Sequence, residues 1–320
     1  MKIVCDAHIP HLVEAVKCGW PEVEILPMKP EEIDTSVVHD ADVLIVRTRT
    51  KVDGLLLEGS SVRLVCTATI GFDHIDTAYC ESRGIRWVSC PGCNAQAVCD
   101  YIEEALNEIE WDKVLCTKEA TIGIVGVGHV GSLVARMAER KGMRVLLNDP
   151  PKGIGETLDF IGENSDIITF HTPLTKDGRH PTYHLCGESF LSKCKPGALI
   201  INAARGGVVD EQALLRSGHP FILDTWENEP DIHPEVVQKA YRASMHIAGY
   251  SVQGKKNASQ ACLDAISQEF CLPILKCDKF LVPLQPISGD NAPGWLGRIT
   301  DQLKKAPQEF EQLRKQYKLR

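Results

Sequence analysis

The sequence predicts an α/β protein with two doubly wound parallel-sheet domains, the first of them discontinuous, and a small C-terminal segment. Short apolar segments typical of strands alternate with helical segments from the first residues to about residue 270. From residue 121 onward, an apolar strand, a glycine-rich turn, a helix and a second strand follow one another as a complete βαβ unit. The length of 320 residues also suits about two domains.

The alternating elements at the start of the chain predict the first domain. Strands are expected at 2–6, 43–47, 63–67 and 86–89, and helices near 9–18, 54–58 and 77–83. Pro91 and Gly92 then interrupt the pattern. A later helical pattern at 257–270 can return the chain to this sheet. The first domain is therefore expected to comprise residues 1–92 and 252–277.

The glycine-rich turn indicates a dinucleotide site. Gly126 permits a tight turn, Gly128 lets the backbone approach a pyrophosphate, and Gly131 lets the helix pack closely against the strand. The N-terminus of the helix offers N–H groups to the phosphates. Asp149 ends the second strand, where a carboxylate can accept both ribose hydroxyls and repel the extra phosphate of NADP. Residues 93–251 are therefore predicted to form a Rossmann-like, NAD-binding domain.

Further elements of this domain are a long helix at 95–108, strands at 166–170, 198–202 and 221–224, and a short strand at 246–247. Polar residues stand at or just after the ends of the strands. In an open parallel sheet, ligands bind outside the carboxyl ends of the strands, so these residues are candidates for a site.

Three such residues carry side chains suited to acid–base chemistry on a carboxylate. Two glycines follow Arg205, so its guanidinium can project from a sharp turn and match both carboxylate oxygens. Glu229 lies in an acidic segment, and His246 precedes an Ala-Gly pair. A histidine beside a carboxylate is a proton carrier near neutral pH. Taken singly, each residue also fits a surface bend, a solvated loop or a structural hydrogen bond, and spacing alone does not show that they meet.

The composition excludes several classes of protein. The chain is 43% hydrophobic and 24% charged, with a net charge of −8, so neither nucleic acid nor an anionic membrane is expected as the main partner. No apolar run reaches the roughly 18 residues of a membrane span. The first residues lead directly into a predicted strand. We therefore expect no signal peptide and a cytoplasmic location.

The 13 cysteines are scattered, and we interpret most of them as buried, reduced thiols. Cys90 and Cys93 form a C-x-x-C pair, which is also found in redox motifs and in halves of zinc sites. No second such pair or histidine pair stands at zinc-ligand spacing, so no metal is expected. The pair also follows a strand in a Pro-Gly turn, which favours the structural interpretation.

The C-terminal segment, residues 278–320, differs in composition from the rest of the chain. It begins with Pro, Gly and Asn and continues into a predicted charged helix at 307–317. Residues 301–320 contain six Lys and Arg against three Asp and Glu, a net charge of +3. This segment is interpreted either as a solvated terminal helix or as a dimerisation element that brings positive charge to an active site.

The order of these segments resembles the D-isomer-specific 2-hydroxyacid dehydrogenases. The shared features are the glycine turn, the Asn-Ala-x-Arg-Gly segment ending at Gly206, the Asp-x-Trp-Glu-x-Glu-Pro segment at 224–230, and His246 before Ala-Gly. Within that family the chain is most similar to the branch whose substrate is 4-phospho-D-erythronate. The segments that carry this narrower resemblance are 46–52, 67–76, 90–95, 149–151, 170–174 and 244–250.

The resemblance implies a role for each candidate residue. Arg205 would bind the substrate carboxylate, His246 would take the proton of the C2 hydroxyl, and Glu229 would orient His246. The cofactor-binding set would be Gly126, Gly128, His129, Val130, Gly131, Asp149, Thr172, Ala203, Ala204, Arg205, Asp224 and Gly249. The first domain would bind substrate, and the substrate-binding set would be Thr48, Thr69, Tyr250, Arg47 and Lys51. Arg47 and Lys51 would contact the phosphate, unless they form structural ion pairs or a partner chain supplies that contact.

Three functions follow from this resemblance. The first is NAD-dependent oxidation of 4-phospho-D-erythronate to 3-hydroxy-2-oxo-4-phosphooxybutanoate, in the biosynthesis of pyridoxal 5'-phosphate (vitamin B6), by a homodimer. The second keeps the chemistry but changes the substrate to another D-2-hydroxy acid, such as glycerate or lactate. The third is an NAD-sensing, corepressor-like binding protein. Long disordered flanks are typical of that class, and this sequence has no such flanks.

Overall fold

The computed structural model describes residues 1–112, 114–276 and 294–318, and these divide into two compact units. One unit comprises Met1–Asn94 with residues 251–276, and the other comprises Ala95–Tyr250 with residues 294–318. The predicted boundary at 277–278 and the start of the C-terminal segment lie outside the described residues.

Strands and helices alternate along most of the described chain. The strands are β1 Lys2–Asp6, β2 Glu24–Met28, β3 Val43–Val46, β4 Leu64–Thr67, β5 Arg86–Val88, β6 Thr121–Val125, β7 Arg144–Asp149, β8 Ile154–Gly155, β9 Ile167–Phe170, β10 Leu199–Asn202, β11 Phe221–Leu223 and β12 Arg242–Ala243. The α-helices are α1 Leu12–Gly19, α2 Thr35–Val38, α3 Gly54–Leu57, α4 Thr77–Ser82, α5 Ala95–Trp111, α6 His129–Arg140, α7 Leu158–Asn164, α8 Glu188–Leu191, α9 Glu211–Ser217, α10 Pro234–Lys239, α11 Val252–Phe270, α12 Trp295–Lys305 and α13 Phe310–Gln316.

The first unit is built on a parallel sheet in the order β2-β1-β3-β4-β5. The strands β3 and β4 are buried along their whole length, as expected for a parallel sheet covered on both faces. One face packs against α11 through Ala258, Cys262 and Ile266. The returning helix is therefore part of this core, which makes the unit discontinuous in sequence.

Two elements of this unit were not predicted from the sequence. The strand β2 contains Pro27, which lacks the N–H that a central strand needs, and β2 accordingly lies at the edge of the sheet. The four-residue helix α2 is capped by Asp34, whose carboxylate accepts the N–H groups of Ser36 and Val37. Both elements are too short or too polar for hydrophobic periodicity to reveal them.

The second unit has a sheet in the order β12-β11-β10-β9-β6-β7-β8, parallel except for β8, which runs antiparallel to β7. The strand β6 lies between β7 and β9, so the chain reverses its direction of travel across the sheet at β6. Such a switch point opens a crevice at the carboxyl ends of the central strands. The predicted α/β fold with two parallel sheets is thereby confirmed.

The described part of the C-terminal segment packs within the second unit. The ring of Trp295 lies edge-on to that of Tyr101, with 5.9 Å between centroids. Thr300 in α12 accepts the N–H of Ala243 at 2.9 Å and donates to its carbonyl, which extends β12 by side-chain hydrogen bonds. The sequence predicted a helix at 307–317. The structure has a 3-10 turn at Pro307–Glu309 followed by α13, and α12 was not predicted.

One predicted strand is wrong. The short strand expected at 246–247 is absent, and the last strand of the sheet, β12, ends three residues before His246. His246 instead lies in a bend with a positive φ of 56°. Among the described helices, none combines the length and the apolar character that crossing a membrane requires.

Candidate active site

The glycine turn joins β6 to α6 and has the shape that a dinucleotide needs. Gly126 has a φ of 91°, and a Cβ there would lie 2.8 Å from the carbonyl of His171. A Cβ at Gly131 would collide with the carbonyl oxygen of Gly126, so only glycine lets the helix approach this closely. A Cβ at Gly128 would meet no atom within 4 Å and would occupy open space at the N-terminus of α6. The turn therefore fits a pyrophosphate.

Asp149 lies at the end of β7, beside this turn. Its Oδ2 accepts the N–H of Val127 at 2.9 Å, which fixes the carboxylate next to the glycine loop. Lys152 lies 3.7 Å from the same oxygen and donates to the carbonyl of Val127 at 2.7 Å. The carboxylate that is predicted to accept the ribose hydroxyls is thus held in place by a backbone hydrogen bond, and the amino group of Lys152 lies beside it.

Thr172 follows β9 and lies against the glycine turn. Its methyl group would be 2.9 Å from a Cβ at Gly126, and its hydroxyl is buried without a hydrogen-bond partner in the described chain. A buried unsatisfied hydroxyl costs about 1–3 kcal/mol. A ligand at this site could satisfy it, which supports the predicted contact with the cofactor.

The turn that carries Arg205 is shaped by Asn202 at the end of β10. The Oδ1 of Asn202 accepts the N–H of Ala204 at 3.0 Å, and its Nδ2 donates to the carbonyl of Arg205 at 2.8 Å. A Cβ at Gly206 would collide with the carbonyl of Trp226, so the turn lies directly against the segment that contains Glu229. Asn202 begins the Asn-Ala-x-Arg-Gly segment, but its role in shaping the turn was not predicted from the sequence.

Glu229 and His246 form a hydrogen-bonded pair. The Oε2 of Glu229 lies 2.7 Å from Nδ1 of His246, and Oε1 accepts the N–H of Trp226 at 2.9 Å. When the carboxylate is ionised, Nδ1 carries the proton and Nε2 is the basic nitrogen. Burial by itself would raise the pKa of Glu229, but the hydrogen bond and charge of His246, the N–H of Trp226 and the charge of Arg314 together hold that pKa below its ordinary value.

Asp224 determines the conformation of the loop that carries His246. Its carboxylate accepts the hydroxyl of Ser244 at 2.7 Å and the N–H groups of Ile247 and Ala248 at 2.7 and 2.9 Å. Its carbonyl oxygen accepts the N–H of His246 at 2.7 Å. Only 1% of Asp224 is exposed, so these bonds are made away from water. The predicted contact of Asp224 with the cofactor stays a prediction, and Ser244 is a supporting residue that was not predicted from the sequence.

The match to the family model "D-isomer specific 2-hydroxyacid dehydrogenase, NAD binding domain" covers residues 98–248. The erythronate-4-phosphate dehydrogenase of Bacteroides fragilis is 42% identical over 100% of this chain and 97% of the relative. The chain belongs to the D-isomer-specific 2-hydroxyacid dehydrogenase family. This confirms the predicted resemblance, the NAD cofactor and the enzyme class.

The chain is also similar to a second relative in sequence and to two solved structures in fold. The erythronate-4-phosphate dehydrogenase of Porphyromonas gingivalis is 44% identical over 90% of this chain and 81% of the relative. The NAD-bound 3-phosphoglycerate dehydrogenase of Entamoeba histolytica has the same fold, with a TM-score of 0.70, 24% identity, and coverage of 90% of this chain and 99% of the other. The D-lactate dehydrogenase of Aquifex aeolicus gives a TM-score of 0.67 at 22% identity, over 84% and 95% of the two chains.

The predicted substrate residues of the first unit make contacts of their own. Arg47 forms an ion pair with the buried carboxylate of Asp6 at 2.8 Å, and Lys51 pairs with Asp53 at 2.8 Å. These ion pairs are the structural alternative to contacts with the substrate phosphate. The prediction that Arg47 and Lys51 contact the phosphate stays untested. Thr48 is exposed.

Thr69 is tied into the loop after β4. Its hydroxyl donates to the carbonyl of Gly71 at 2.8 Å and lies 2.6 Å from the hydroxyl of Thr67. The substrate contacts of Thr48 and Thr69 stay predictions.

Cys90 and Cys93 are both free thiols. Cys90 donates to the carbonyl of Thr67 at 3.3 Å and is buried. Burial raises the pKa of Cys93 to about 12, so this side chain is a neutral thiol at physiological pH. These contacts favour the structural interpretation of the C-x-x-C pair. Within residues 1–112, 114–276 and 294–318, no group of three or more side chains is arranged to hold a metal ion.

The last predicted substrate residue, Tyr250, contacts the C-terminal helix. Its hydroxyl accepts a hydrogen bond from Nε of Arg314 at 3.0 Å, and the guanidinium carbon lies 5.6 Å from the centroid of its ring. The positive charge of this segment is evident from the sequence, but a role for Arg314 was not predicted. The contact between Arg314 and Tyr250 forms only because α13 packs on the second unit.

Proposed function

We propose that this enzyme oxidises the C2 hydroxyl of 4-phospho-D-erythronate with NAD to give 3-hydroxy-2-oxo-4-phosphooxybutanoate, a step in pyridoxal 5'-phosphate biosynthesis. The observation that carries this proposal is the 2.7 Å pair of Glu229 and His246, held beside the Arg205 turn in a chain that aligns along its length with erythronate-4-phosphate dehydrogenases. A proton acceptor and a carboxylate anchor are what the oxidation of a 2-hydroxy acid requires.

Arg205 holds the substrate in this proposal. Its planar guanidinium binds the carboxylate with two parallel hydrogen bonds, which fixes C1 and therefore the orientation of C2. The bond between Nη1 of Arg205 and the carbonyl of Ala204, at 2.8 Å, restrains the side chain before substrate arrives. Less conformational freedom is then lost on binding.

His246 removes the proton of the C2 hydroxyl through Nε2. Bound NAD supplies the acceptor for the hydride that leaves C2. Loss of the proton and the hydride turns the C–O single bond into a carbonyl and leaves His246 as an imidazolium. Glu229 stabilises that cation, because its Oε2 already bonds Nδ1 and its Oε1 is anchored by the N–H of Trp226.

The cofactor would be held by the residues that shape the crevice. We propose that Asp149 accepts the adenosine ribose hydroxyls, that residues 126–131 cradle the pyrophosphate, and that Thr172, Ala203, Ala204, Asp224 and Gly249 line the remaining cofactor site. The open space at Gly128 and the unsatisfied hydroxyl of Thr172 support this arrangement.

The test compares a panel of substrates, and the absorbance of NADH measures the rate with each. Purified enzyme and NAD are mixed with 4-phospho-D-erythronate, D-erythronate, D-glycerate and D-lactate, and His246→Asn serves as the inactive control. The proposal expects the highest kcat/KM for the phosphorylated acid and none above background in the variant. A higher kcat/KM for an unphosphorylated acid would overturn the assigned substrate.

We also propose that the enzyme acts as a homodimer in the cytoplasm. The support for dimerisation is the basic C-terminal segment, whose helices α12 and α13 pack on the second unit. The free thiols of the described chain suit a reducing compartment. Sedimentation of the full chain, and of a chain ending before residue 294, tests the dimer.

A further inference from the structure

The side chain of Arg314 is largely buried and lies close to the catalytic pair. It is 25% exposed, its Nε donates to the hydroxyl of Tyr250 at 3.0 Å, and its Nη1 lies 3.6 Å from a carboxylate oxygen of Glu311. Tyr250 follows His246 by four residues, and the positive charge of Arg314 acts on the carboxylate of Glu229. A cation from the C-terminal helix is thus placed at the edge of the proton-transfer machinery.

The guanidinium of Arg314 retains capacity for an anion. The bond to Tyr250 uses one of its five N–H donors, and the 3.6 Å contact with Glu311 is longer than a hydrogen bond. Charged side chains that are largely withdrawn from water usually have an ionic partner at hydrogen-bond distance. Arg47, in contrast, has such a partner in Asp6 at 2.8 Å.

The proposed substrate has an anionic group that must find a cation near this place. Its phosphorus is four bonds from C2, a reach of roughly 5 Å at standard bond lengths. When C2 lies at His246, the phosphate therefore lies within the neighbourhood of that residue. Arginine is the side chain whose fork best matches two phosphate oxygens.

We propose that Arg314 binds the terminal phosphate of the substrate, with the hydroxyl of Tyr250 beside it, and so makes the C-terminal helix α13 a determinant of specificity for phosphorylated 2-hydroxy acids. This inference rests on the proposed function. It assigns the phosphate contact to a residue outside the set that the sequence predicted, since Arg47 and Lys51 are each held in an ion pair 2.8 Å long.

The experiment compares the enzyme with Arg314→Gln and Arg314→Lys, and uses Lys315→Gln as the matched control. Lys315 is an exposed neighbour on the same helix, so the control removes one positive charge without touching Tyr250. Each protein is assayed at saturating NAD with 4-phospho-D-erythronate and with D-erythronate, which differ only in the phosphate. Melting temperature and NAD binding report on folding.

The expected result is a loss of discrimination. Removing one partner of a hydrogen-bonded charge pair weakens binding by roughly 30-fold or more. Arg314→Gln should therefore lower kcat/KM for the phosphorylated acid by at least that factor and leave D-erythronate within threefold. Arg314→Lys keeps the positive charge but loses the planar guanidinium. Its kcat/KM for the phosphorylated acid should therefore lie between those of the wild type and Arg314→Gln. If Arg314→Gln does not fold, the lysine variant alone carries the test.

Two outcomes would overturn the inference. An equal loss with both acids would mean that Arg314 acts by positioning Tyr250 or Glu229, and unchanged kinetics would mean that it lies outside the substrate site. A wild-type enzyme that oxidises other 2-hydroxy acids but not 4-phospho-D-erythronate would refute the proposed function instead. In that event, inhibition by inorganic phosphate tests the Arg314 site separately. If phosphate inhibits the wild type and Arg314→Gln equally strongly, the Arg314 site is refuted.

Discussion

Replacing Glu229 by Gln is expected to abolish most of the turnover while leaving the fold and the cofactor site intact. The two oxygens of Glu229 have different partners, since Oε1 accepts the N–H of Trp226 and Oε2 bonds Nδ1 of His246. A glutamine keeps one acceptor, which the N–H of Trp226 requires. Its NH2 group then faces Nδ1, which must become an acceptor, and the proton moves to Nε2. His246 can no longer act as a base.

The magnitude follows from the two interactions that are lost. Restoring the productive tautomer requires the amide to turn over, which sets its NH2 against the N–H of Trp226 and leaves a buried donor unsatisfied at about 1–3 kcal/mol. The imidazolium formed during the reaction also loses a charge-assisted hydrogen bond worth about 1.5–3 kcal/mol. Together, roughly 3–6 kcal/mol corresponds to a decrease in kcat of about 10²–10⁴-fold.

The assay is kcat, KM and the dissociation constant of NAD at several values between about pH 6 and pH 9. Because the pKa of Glu229 lies below its ordinary value, the wild-type carboxylate is ionised throughout this range, and every comparison is made with its charged form. The matched control is Glu227→Gln, since Glu227 bonds Nε2 of His184 in the same segment. The control should retain most of the activity. A decrease of less than threefold in Glu229→Gln, or an equal decrease in the control, would refute the reasoning.

Three further predictions concern other parts of the second unit. Arg205→Lys should raise KM and lower kcat/KM for the acid by roughly tenfold or more, because the charge stays but the fork is lost; unchanged steady-state kinetics would contradict its anchoring role. Asp149→Ala should allow NADP to be used, since Lys152 remains 3.7 Å from the vacated carboxylate position, and kcat/KM with both cofactors measures the change. Burial raises the pKa of Glu211 to about 7 from 4.5, so its penalty on folding develops as the pH rises between these values and is complete above about 7. Glu211→Gln should therefore stabilise the protein by at most about 3 kcal/mol at pH 8 and by little at pH 5, as measured by urea unfolding.

The sequence revealed most of the fold because its elements are locally encoded. The central strands of both sheets are nearly continuous apolar runs, which buried parallel strands require, and the glycine turn combines three backbone requirements within six residues. The exceptions are informative. The edge strand β2 tolerates Pro27 because its neighbour lies on one side only, and α12 follows a stretch of Pro, Gly and Asn that obscured its apolar face.

The wrong strand at 246–247 has a specific physical cause. The segment is apolar enough for a strand, but the carboxylate of Asp224 accepts the N–H groups of Ile247 and Ala248 and so replaces the ladder hydrogen bonds. The backbone bends instead, and His246 adopts a φ of 56°. A side chain about 20 residues away therefore sets the conformation of this segment, and the local sequence pattern does not record that contact.

The sequence by itself determined the parallel α/β architecture, the place of the glycine turn and the acid that follows it, because each depends on conformational preferences within a short stretch of chain. Only the tertiary structure decided which side chains meet. Glu229 and His246 are 17 residues apart, and Arg314 reaches Tyr250 across 64 residues. Contacts of that kind arise when packing and buried hydrogen bonds bring separate segments together, and no local periodicity records them.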